Sequence, residues 1–133
     1  MTVRIDDKEK IRDDDSLWRR IVNMPQWVSR NEDGSCRLSS VAFIDRRTQE
    51  VSVHLARLTT LEKALADRPD DGLVEIYARV PRSLGLIVAS DPTDNDPSHS
   101  LICAPSGGKT SKSQARQMAA EATWLLKPKD YRA

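Results

Sequence analysis

The sequence has few of the features that mark a secreted or a membrane protein. Its 133 residues include two cysteines, Cys36 and Cys103, in no C-x-x-C pair, so neither a disulfide framework nor a structural zinc site is expected. No apolar run approaches the roughly 20 residues of a membrane-spanning helix, and residues 1–15 are too polar for a secretory signal. We therefore expect a cytoplasmic protein with no membrane segment.

The sequence also lacks an excess of charge of one sign, since its net charge is +1. A domain that binds nucleic acid generically usually has a clear basic excess, so the total argues against that class. The distribution is uneven, however. Residues 67–98 carry seven acids against three bases, and residues 99–133 carry six bases against two acids. The basic C-terminal end permits an anionic partner.

What is present predicts one α+β domain. Hydrophobic residues make up 38% and charged residues 31% of the chain, which is a globular composition. We assign residues 1–15 to a polar N-terminal arm and residues 16–133 to the domain. Short apolar or alternating segments, with hairpin connections, predict a mixed and mostly antiparallel sheet of about five or six strands. The predicted strands are 17–22 (alternatively a helix end), 40–45, 51–55, 72–80, 86–89 and 101–103.

Two main helices are predicted. The first runs from Thr59 to Asp67, and Glu62 stands in the position that completes a capping box with Thr59. The second runs from Ser111 or Ser113 to Leu126, where apolar residues recur at i, i+3, i+4, i+7 and i+11 and form a stripe.

The segment CAPSGGKT, residues 103–110, lies between a strand and a helix, as a phosphate-binding P-loop does. Gly108, Lys109 and Thr110 fit that motif, but Cys103 stands where it requires glycine. A simpler anion site at the helix N-terminus remains possible, because free N–H groups and the helix dipole favour an anion there. The alternative is a surface loop with an ordinary N-cap. The predicted anion-binding residues are Gly107, Gly108, Lys109, Lys112 and Arg116, with Arg19 from the first strand.

The chain has two histidines, His54 and His99. His99 closes the acidic segment DPTDNDPSH, where a histidine is well placed for acid–base chemistry. His54 lies within a predicted strand, and the sequence does not fix the face that it occupies. No H-x-H or H-x-x-x-H spacing occurs, so we predict no metal site.

The order of elements resembles that of a known family. LWRRI, GSCRLSSVAFID, the TTLEKALA helix and GLVEIYARVPRSL follow one another as in the RES family. DPTDNDPSHSLI is similar to a segment near the end of RES domains, and the resemblance covers Leu17 to Ile102. RES domains are small bacterial toxin domains with an ADP-ribosyltransferase-like fold that consume NAD. The resemblance implies NAD as the cofactor and a toxin or defence role.

The same resemblance implies the residues of a site. Arg19 or Arg20 would match the arginine that grips the cofactor phosphates, since a guanidinium pairs bidentately with pyrophosphate. Ser39 or Ser40 would lie near the nicotinamide, and a helix glutamate would stabilise the cationic sugar as the nicotinamide bond breaks. The predicted catalytic residues are Arg20, Ser40, Glu62 and His99.

Two functions without catalysis stay open. The basic C-terminal helix could bind nucleic acid or an acidic protein face, or the chain could be an accessory subunit of a larger partner protein. The NAD hypothesis requires that Arg20 and Glu62 share one cleft. The nucleic-acid hypothesis requires binding that weakens steeply as salt rises.

Overall fold

The computed structural model describes residues 11–44, 50–105 and 109–129. Within these ranges the strands are β1 (Ser16–Ile21), β2 (Val28–Arg30), β3 (Cys36–Leu38), β4 (Val51–Leu55), β5 (Gly72–Tyr77), β6 (Ile87–Ser90), β7 (His99–Cys103) and β8 (Thr123–Leu126). The helices are α1 (Leu61–Ala64), α2 (Arg79–Ser83), α3 (Lys112–Glu121) and the 3₁₀ helices Ser40–Phe43 and Ala56–Leu58. None of these helices is long and apolar enough to cross a membrane.

Six strands form one sheet in the order β6-β7-β4-β1-β5-β8, and every neighbouring pair is antiparallel. β2 and β3 form a separate hairpin between the predicted strands 17–22 and 40–45, where the sequence predicts no strand. This architecture confirms the predicted α+β class and the size of the sheet. The predicted strand 86–89 is fully apolar, which is typical of a strand at the centre of a sheet. It forms as β6, but β6 lies at an edge of the sheet, where α2 packs beside it.

Strand alternation divides the sheet into an apolar face and a largely polar face, on which a small second cluster of Ala64, Leu65 and Leu73 packs with Trp18. On β1, Leu17 and Ile21 are fully buried, whereas Arg20 lies on the opposite side. The pairing of β4 with β1 places His54 on the same side as Arg20. His54 lies directly opposite His99 of β7. The register therefore places the side chains of Arg20, His54 and His99 on one face of the sheet.

The apolar face packs against α3 and the 3₁₀ helix that ends at Phe43. Phe43, Ala115 and Met118 are fully buried in this core. A capping box begins α3, since the Ser111 hydroxyl accepts from the Gln114 N–H at 3.1 Å and the Ser111 N–H donates to the Gln114 side chain at 2.8 Å. The core thus covers the side of the sheet opposite to His54.

The strand predicted over residues 40–45 is wrong, because Ser40–Phe43 form a 3₁₀ helix. Asp45 lies outside the described residues. The Ser39 hydroxyl accepts from the Val41 N–H at 3.2 Å, and such local bonds compete with strand pairing. The predicted hairpin with β4 is therefore not formed, and β4 pairs with β1 and β7 instead.

The C-terminal helix is shorter than predicted. It ends at Glu121 rather than Leu126, because the backbone of Ala122 is extended. Residues 123–126 then form β8 along β5. Thr and Trp favour strands, and pairing with an open sheet edge satisfies their backbone groups, so tertiary contacts outweigh the helical apolar stripe.

The bounds of two other elements move by a few residues. Thr60 caps α1, with its hydroxyl accepting from the Lys63 N–H at 3.2 Å, so the cap lies one residue after the predicted Thr59. The helix ends at Ala64 rather than at the predicted Asp67. β5 ends at Tyr77 rather than Val80, because α2 follows it directly.

Residues 11–15 belong to the domain rather than to the predicted polar arm. Ile11 is buried in the core. The carbonyl of Asp15 accepts from the Ala78 N–H at 3.0 Å, and the carboxylate of Asp13 accepts from Arg82 at 2.8 Å. The domain therefore begins no later than Ile11, and residues 1–10 lie outside the described part of the chain.

The chain after β8 crosses the start of β5 and leaves no space there for a side chain. Arg30 donates to the carbonyls of Pro128 and Lys129 at 3.0 and 2.5 Å. Gly72 lies beneath this segment. A Cβ atom on Gly72 would lie 2.7 Å from the Leu126 carbonyl oxygen and 2.7 Å from Cδ of Pro128.

We predict that Gly72→Ala destabilises the protein by about 1–3 kcal/mol, because the added methyl must displace backbone that Arg30 holds. Urea unfolding measures the change. Gln117→Ala, on the exposed side of α3, serves as a control and is expected to stay within about 0.5 kcal/mol of the wild type. Equal unfolding midpoints for the two variants would contradict this packing.

Candidate functional site

A groove of about 1310 Å³ lies on the polar face of the sheet. Arg20, His54 and His99 lie along its floor, and its walls come from α1, the segment around Trp27 and the loop 91–98. Small-molecule pockets commonly measure about 300–1000 Å³, so this space is large enough for a dinucleotide. We refer to it as the sheet groove.

The loop 91–98 is attached to the floor of the sheet groove through His54. Nδ1 of His54 lies 3.1 Å from Oδ2 of Asp96 and 3.1 Å from Oγ of Ser98. Ser98 donates to Oδ1 of Asp96 through its N–H at 3.0 Å and its hydroxyl at 2.5 Å. Because the serine proton is used in this way, Nδ1–H of His54 is the donor to both oxygens. Nε2 then has a lone pair that can accept a proton.

Burial and nearby charge set the protonation state of this pair. Burial has the largest effect on His54 and lowers its pKa from the usual 6.5; Asp96 opposes this effect, while His99 and Arg20 add to it. Burial raises the pKa of Asp96, but hydrogen bonds from Ser98 and the charge of His54 outweigh it, so the net pKa falls below 3.8. At neutral pH the pair is an ionised Asp96 and a neutral His54, the state that a general base requires.

His99 is oriented in the same way by the other end of the loop. Its Nδ1 lies 2.9 Å from the carbonyl oxygen of Asp91 and 3.2 Å from Oδ2 of the same residue. Both atoms accept hydrogen bonds, so Nδ1 carries the proton and Nε2 is the nitrogen available for chemistry. Directly opposed residues on antiparallel strands have Cβ atoms about 5 Å apart. The groove floor therefore holds two adjacent imidazoles, each oriented at Nδ1 by an aspartate.

Arg20 and Lys63 supply positive charge to the sheet groove. Nε of Arg20 lies 3.6 Å from Oδ2 of the buried Asp71, and the Arg20 side chain is 39% exposed. Lys63 is exposed on α1, and both cations line the groove. A guanidinium has five N–H donors, so Asp71 can orient Arg20 while other donors bind a ligand. This is a suitable arrangement for an anion such as phosphate.

The structure brings together part of the predicted site. Arg19, Arg20 and His99 all line the sheet groove. Ser40 and Glu62 do not, although each lies one residue from a lining residue. Ser40 is half-buried in the 3₁₀ helix, and Glu62 is exposed on α1. The glutamate that the RES resemblance implies therefore does not share the groove floor with Arg20.

Arg19 connects β1 to two other segments of the chain at the edge of the groove. Its Nε donates to the carbonyl of Ala42 and its Nη1 to the carbonyl of Ser52, both at 2.8 Å. Its guanidinium also lies 5.2 Å from the centre of the Trp27 ring. The residue is 9% exposed. These contacts give Arg19 a structural role, and they leave Arg20 as the better candidate to bind an anion.

The predicted anion-binding residues near the C-terminus lie away from the sheet groove. Gly107 and Gly108 are outside the described residues. The hydroxyl of Thr110 is buried and donates to the carbonyl of Phe43 at 2.6 Å, so it is used structurally rather than in a P-loop. The exposed basic side chains of this region are Lys109, Lys112 and Arg116. They do not line the groove, and α3 packs on the apolar face.

The pairing of His54 with Asp96 is the part of the site that the sequence did not predict. One signal was available, because His54 lies between Val53 and Leu55 in a strand of alternating burial. That alternation places His54 on the face opposite to the core. Its partner lies 42 residues further along the chain, in a loop whose position depends on the sheet register.

No family model, curated protein or solved structure matches the chain. The RES resemblance therefore stays a prediction, and the site is interpreted from its own geometry. Within residues 11–44, 50–105 and 109–129, no group of three or more His, Cys, Asp or Glu side chains could hold a metal ion.

We predict that Arg19→Lys destabilises the protein by about 2 kcal/mol or more, because lysine cannot donate to both carbonyls in the geometry of Nε and Nη1. Arg20→Lys keeps the charge beside Asp71 and is expected to change stability by less than about 1 kcal/mol. Urea unfolding of both variants measures the difference. A larger loss in Arg20→Lys would contradict the structural role of Arg19.

We predict that Asp96→Asn lowers the pKa of His54 further below 6.5, because the asparagine amide no longer opposes the effect of burial. The titration of the His54 ring protons by NMR measures this shift, and a His99→Gln spectrum assigns the two histidines. An unchanged or higher midpoint in Asp96→Asn would contradict the contact between Asp96 and His54.

Proposed function

We propose that the sheet groove is the active site of a nucleotide-handling enzyme in which His54 is the general base. The observation that carries this proposal is the network of His54, Asp96 and Ser98. It fixes the proton on Nδ1, while burial keeps His54 neutral beside an ionised carboxylate. Perturbed and oriented titratable groups of this kind cluster in functional clefts.

A nucleotide fits the remaining features of the groove. Arg20 and Lys63 can bind phosphate, and Trp27 lies in a wall that can contact a base or a sugar. The volume exceeds what a single phosphate or a small metabolite needs. The ligand class is therefore a phosphate-bearing molecule with an organic part of nucleotide size.

Arg20 and Glu62 do not share the groove, so the version of the NAD hypothesis that depends on Glu62 is not supported. NAD is still the first nucleotide to test, because the RES resemblance implies it and other carboxylates line the groove. In that version of the proposal, Arg20 binds the pyrophosphate and His99 lies near the reacting sugar. Glu62 lies outside the groove, so the carboxylate beside the sugar would be Asp67 or Asp96, both of which line it. A toxin or defence role and a cytoplasmic location remain predictions from the sequence.

The alternative is a binding module that uses the basic C-terminal region. Lys109, Lys112 and Arg116 are all exposed, which is what contact with nucleic acid or an acidic protein face requires. A pocket of about 420 Å³ lies between α2 and α3, but none of these three residues lines it, and no oriented titratable pair accompanies them among the described residues. The sheet groove is therefore the better supported site.

We expect NAD or ADP-ribose to bind the wild type and to bind Arg20→Ala about 10–100-fold more weakly, because a charged hydrogen bond is lost. Isothermal titration calorimetry measures both. Arg37→Ala removes an exposed arginine from β3 and is expected to bind as the wild type does. If the affinity is unchanged in Arg20→Ala but lost in a Lys112→Ala/Arg116→Ala variant, the binding site lies in the C-terminal region and not in the sheet groove.

The variant Glu62→Gln separates the two versions of the enzyme proposal. If an NAD-consuming mechanism uses the glutamate that the resemblance implies, turnover falls steeply in this variant. Because Glu62 is exposed outside the groove, we expect both binding and turnover to be retained.

A further inference from the structure

The two imidazoles of the sheet groove form a pair with a chemistry of its own. His54 and His99 lie directly opposite each other on β4 and β7. Each is held at Nδ1 by an acceptor from the loop 91–98, so each has Nε2 available to take or give a proton. Side chains on opposed strand positions can both reach one bound group. Two such imidazoles beside a phosphate-binding cation can perform general acid and general base catalysis at phosphorus.

We propose that His54 and His99 cleave short ribonucleotide phosphodiesters by attack of the ribose 2′-hydroxyl on phosphorus. This inference rests on the proposed function and names its substrate class and reaction.

The step balances without a further reactant. Nε2 of His54 takes the proton of the 2′-hydroxyl as the 2′-oxygen forms a bond to phosphorus. The bond from phosphorus to the 5′-oxygen breaks with its electron pair, and Nε2–H of protonated His99 donates a proton to that oxygen. The products are a 2′,3′-cyclic phosphate and a free 5′-hydroxyl, with His54 protonated and His99 neutral. Attack by water on the cyclic phosphate reverses both proton transfers and restores the enzyme.

The surroundings of His54 assign it the role of the base, and His99 is then the proton donor. Burial, Arg20 and the charge of His99 all disfavour a proton on His54, against the single opposing carboxylate of Asp96. Its ring is therefore neutral and can act as a base. His99 contacts the carboxylate of Asp91 at 3.2 Å and faces His54 across the strands, so it is the ring placed to supply the proton. A protonated His99 next to a neutral His54 is the arrangement that the first step needs.

The charges of the groove favour a short substrate. Arg20 and Lys63 can stabilise the negative charge that develops on the phosphate oxygens in the transition state. The chain as a whole has a net charge of only +1, and Asp67 also lines the groove. A long polyanion would gain little from the rest of this surface. The substrate that fits is a dinucleotide or a short oligoribonucleotide.

The test uses the dinucleoside monophosphate UpA and its counterpart with a 2′-deoxyuridine. Chromatography of the products detects uridine 2′,3′-cyclic phosphate. We expect the wild type to cleave UpA and to leave the deoxy substrate intact. His54→Gln and His99→Gln should each lower kcat/KM by about 100-fold or more, while Arg37→Ala retains it. The double variant His54→Gln/His99→Gln, purified in the same way, measures any contaminating nuclease.

The pH profile tests the two roles separately. The wild-type kcat/KM is expected to be bell-shaped, since His54 must be unprotonated and His99 protonated. The residual activity of His54→Gln should lose the acidic limb, and that of His99→Gln the alkaline limb. Thermal unfolding of each variant shows whether it is folded, and substitution of each histidine by Asn gives a second variant where Gln is unfolded.

The outcomes separate this inference from the proposed function. If nucleotides bind through Arg20 but UpA stays intact, or the deoxy substrate is cleaved equally well, the inference is wrong and the nucleotide site stands. If His99→Gln retains full activity on UpA, the paired mechanism is also wrong. If no nucleotide binds the wild type, both proposals are wrong.

Discussion

The antiparallel register of β1, β4 and β7 is the constraint on which the rest of the site depends. Leu17 pairs with Leu55, and both are buried on the apolar face. The same register places His54 opposite His99 on the other face. A shift of one residue would exchange the faces, burying a histidine among aliphatic side chains and exposing leucine. Burial of the apolar core therefore stabilises this register, and the register in turn fixes the positions of the two imidazoles.

A short polar network builds on this register. The loop 91–98 contributes Asp91 and Asp96, and each contacts Nδ1 of one histidine. Ser98 is fully buried and donates to Asp96, so the carboxylate is held before any ligand arrives. Such preorganisation is what makes hydrogen-bonded dipoles effective in catalysis. The loop thus orients both rings at once, although it carries no regular secondary structure.

The sequence predicted the parts of the fold that local patterns determine. The alternation of VSVHL and GLVEIY indicated β4 and β5, and the apolar stripe after Ser111 indicated α3. The strand over residues 40–45 was wrong because the Ser39 hydroxyl stabilises a 3₁₀ helix. β8 was missed because its conformation comes from pairing with β5, a contact that no local pattern reports.

The site was predictable to a similar degree. Two features of the sequence predicted residues of the sheet groove. One was the pair of arginines in the first strand, and the other was the histidine at the end of an acidic loop. Arg20 and His99 line the groove. The division of roles between Arg19 and Arg20 required the structure, because both line the groove and it is the contacts of Arg19 with the carbonyls of Ala42 and Ser52 that make it structural. The contact between His54 and Asp96 joins distant segments, and only the assembled sheet reveals it.

The central claim is that the groove binds its ligand at two imidazoles that are protonated on Nδ1. A long-range ¹H–¹⁵N spectrum of the histidine rings, recorded as ADP-ribose is added, tests it most directly. We expect His54 to be the Nδ1–H tautomer in the free protein and the Nε2 signals of His54 and His99 both to shift with ligand. An Nε2–H tautomer of His54, or rings that do not respond to the ligand, would contradict it.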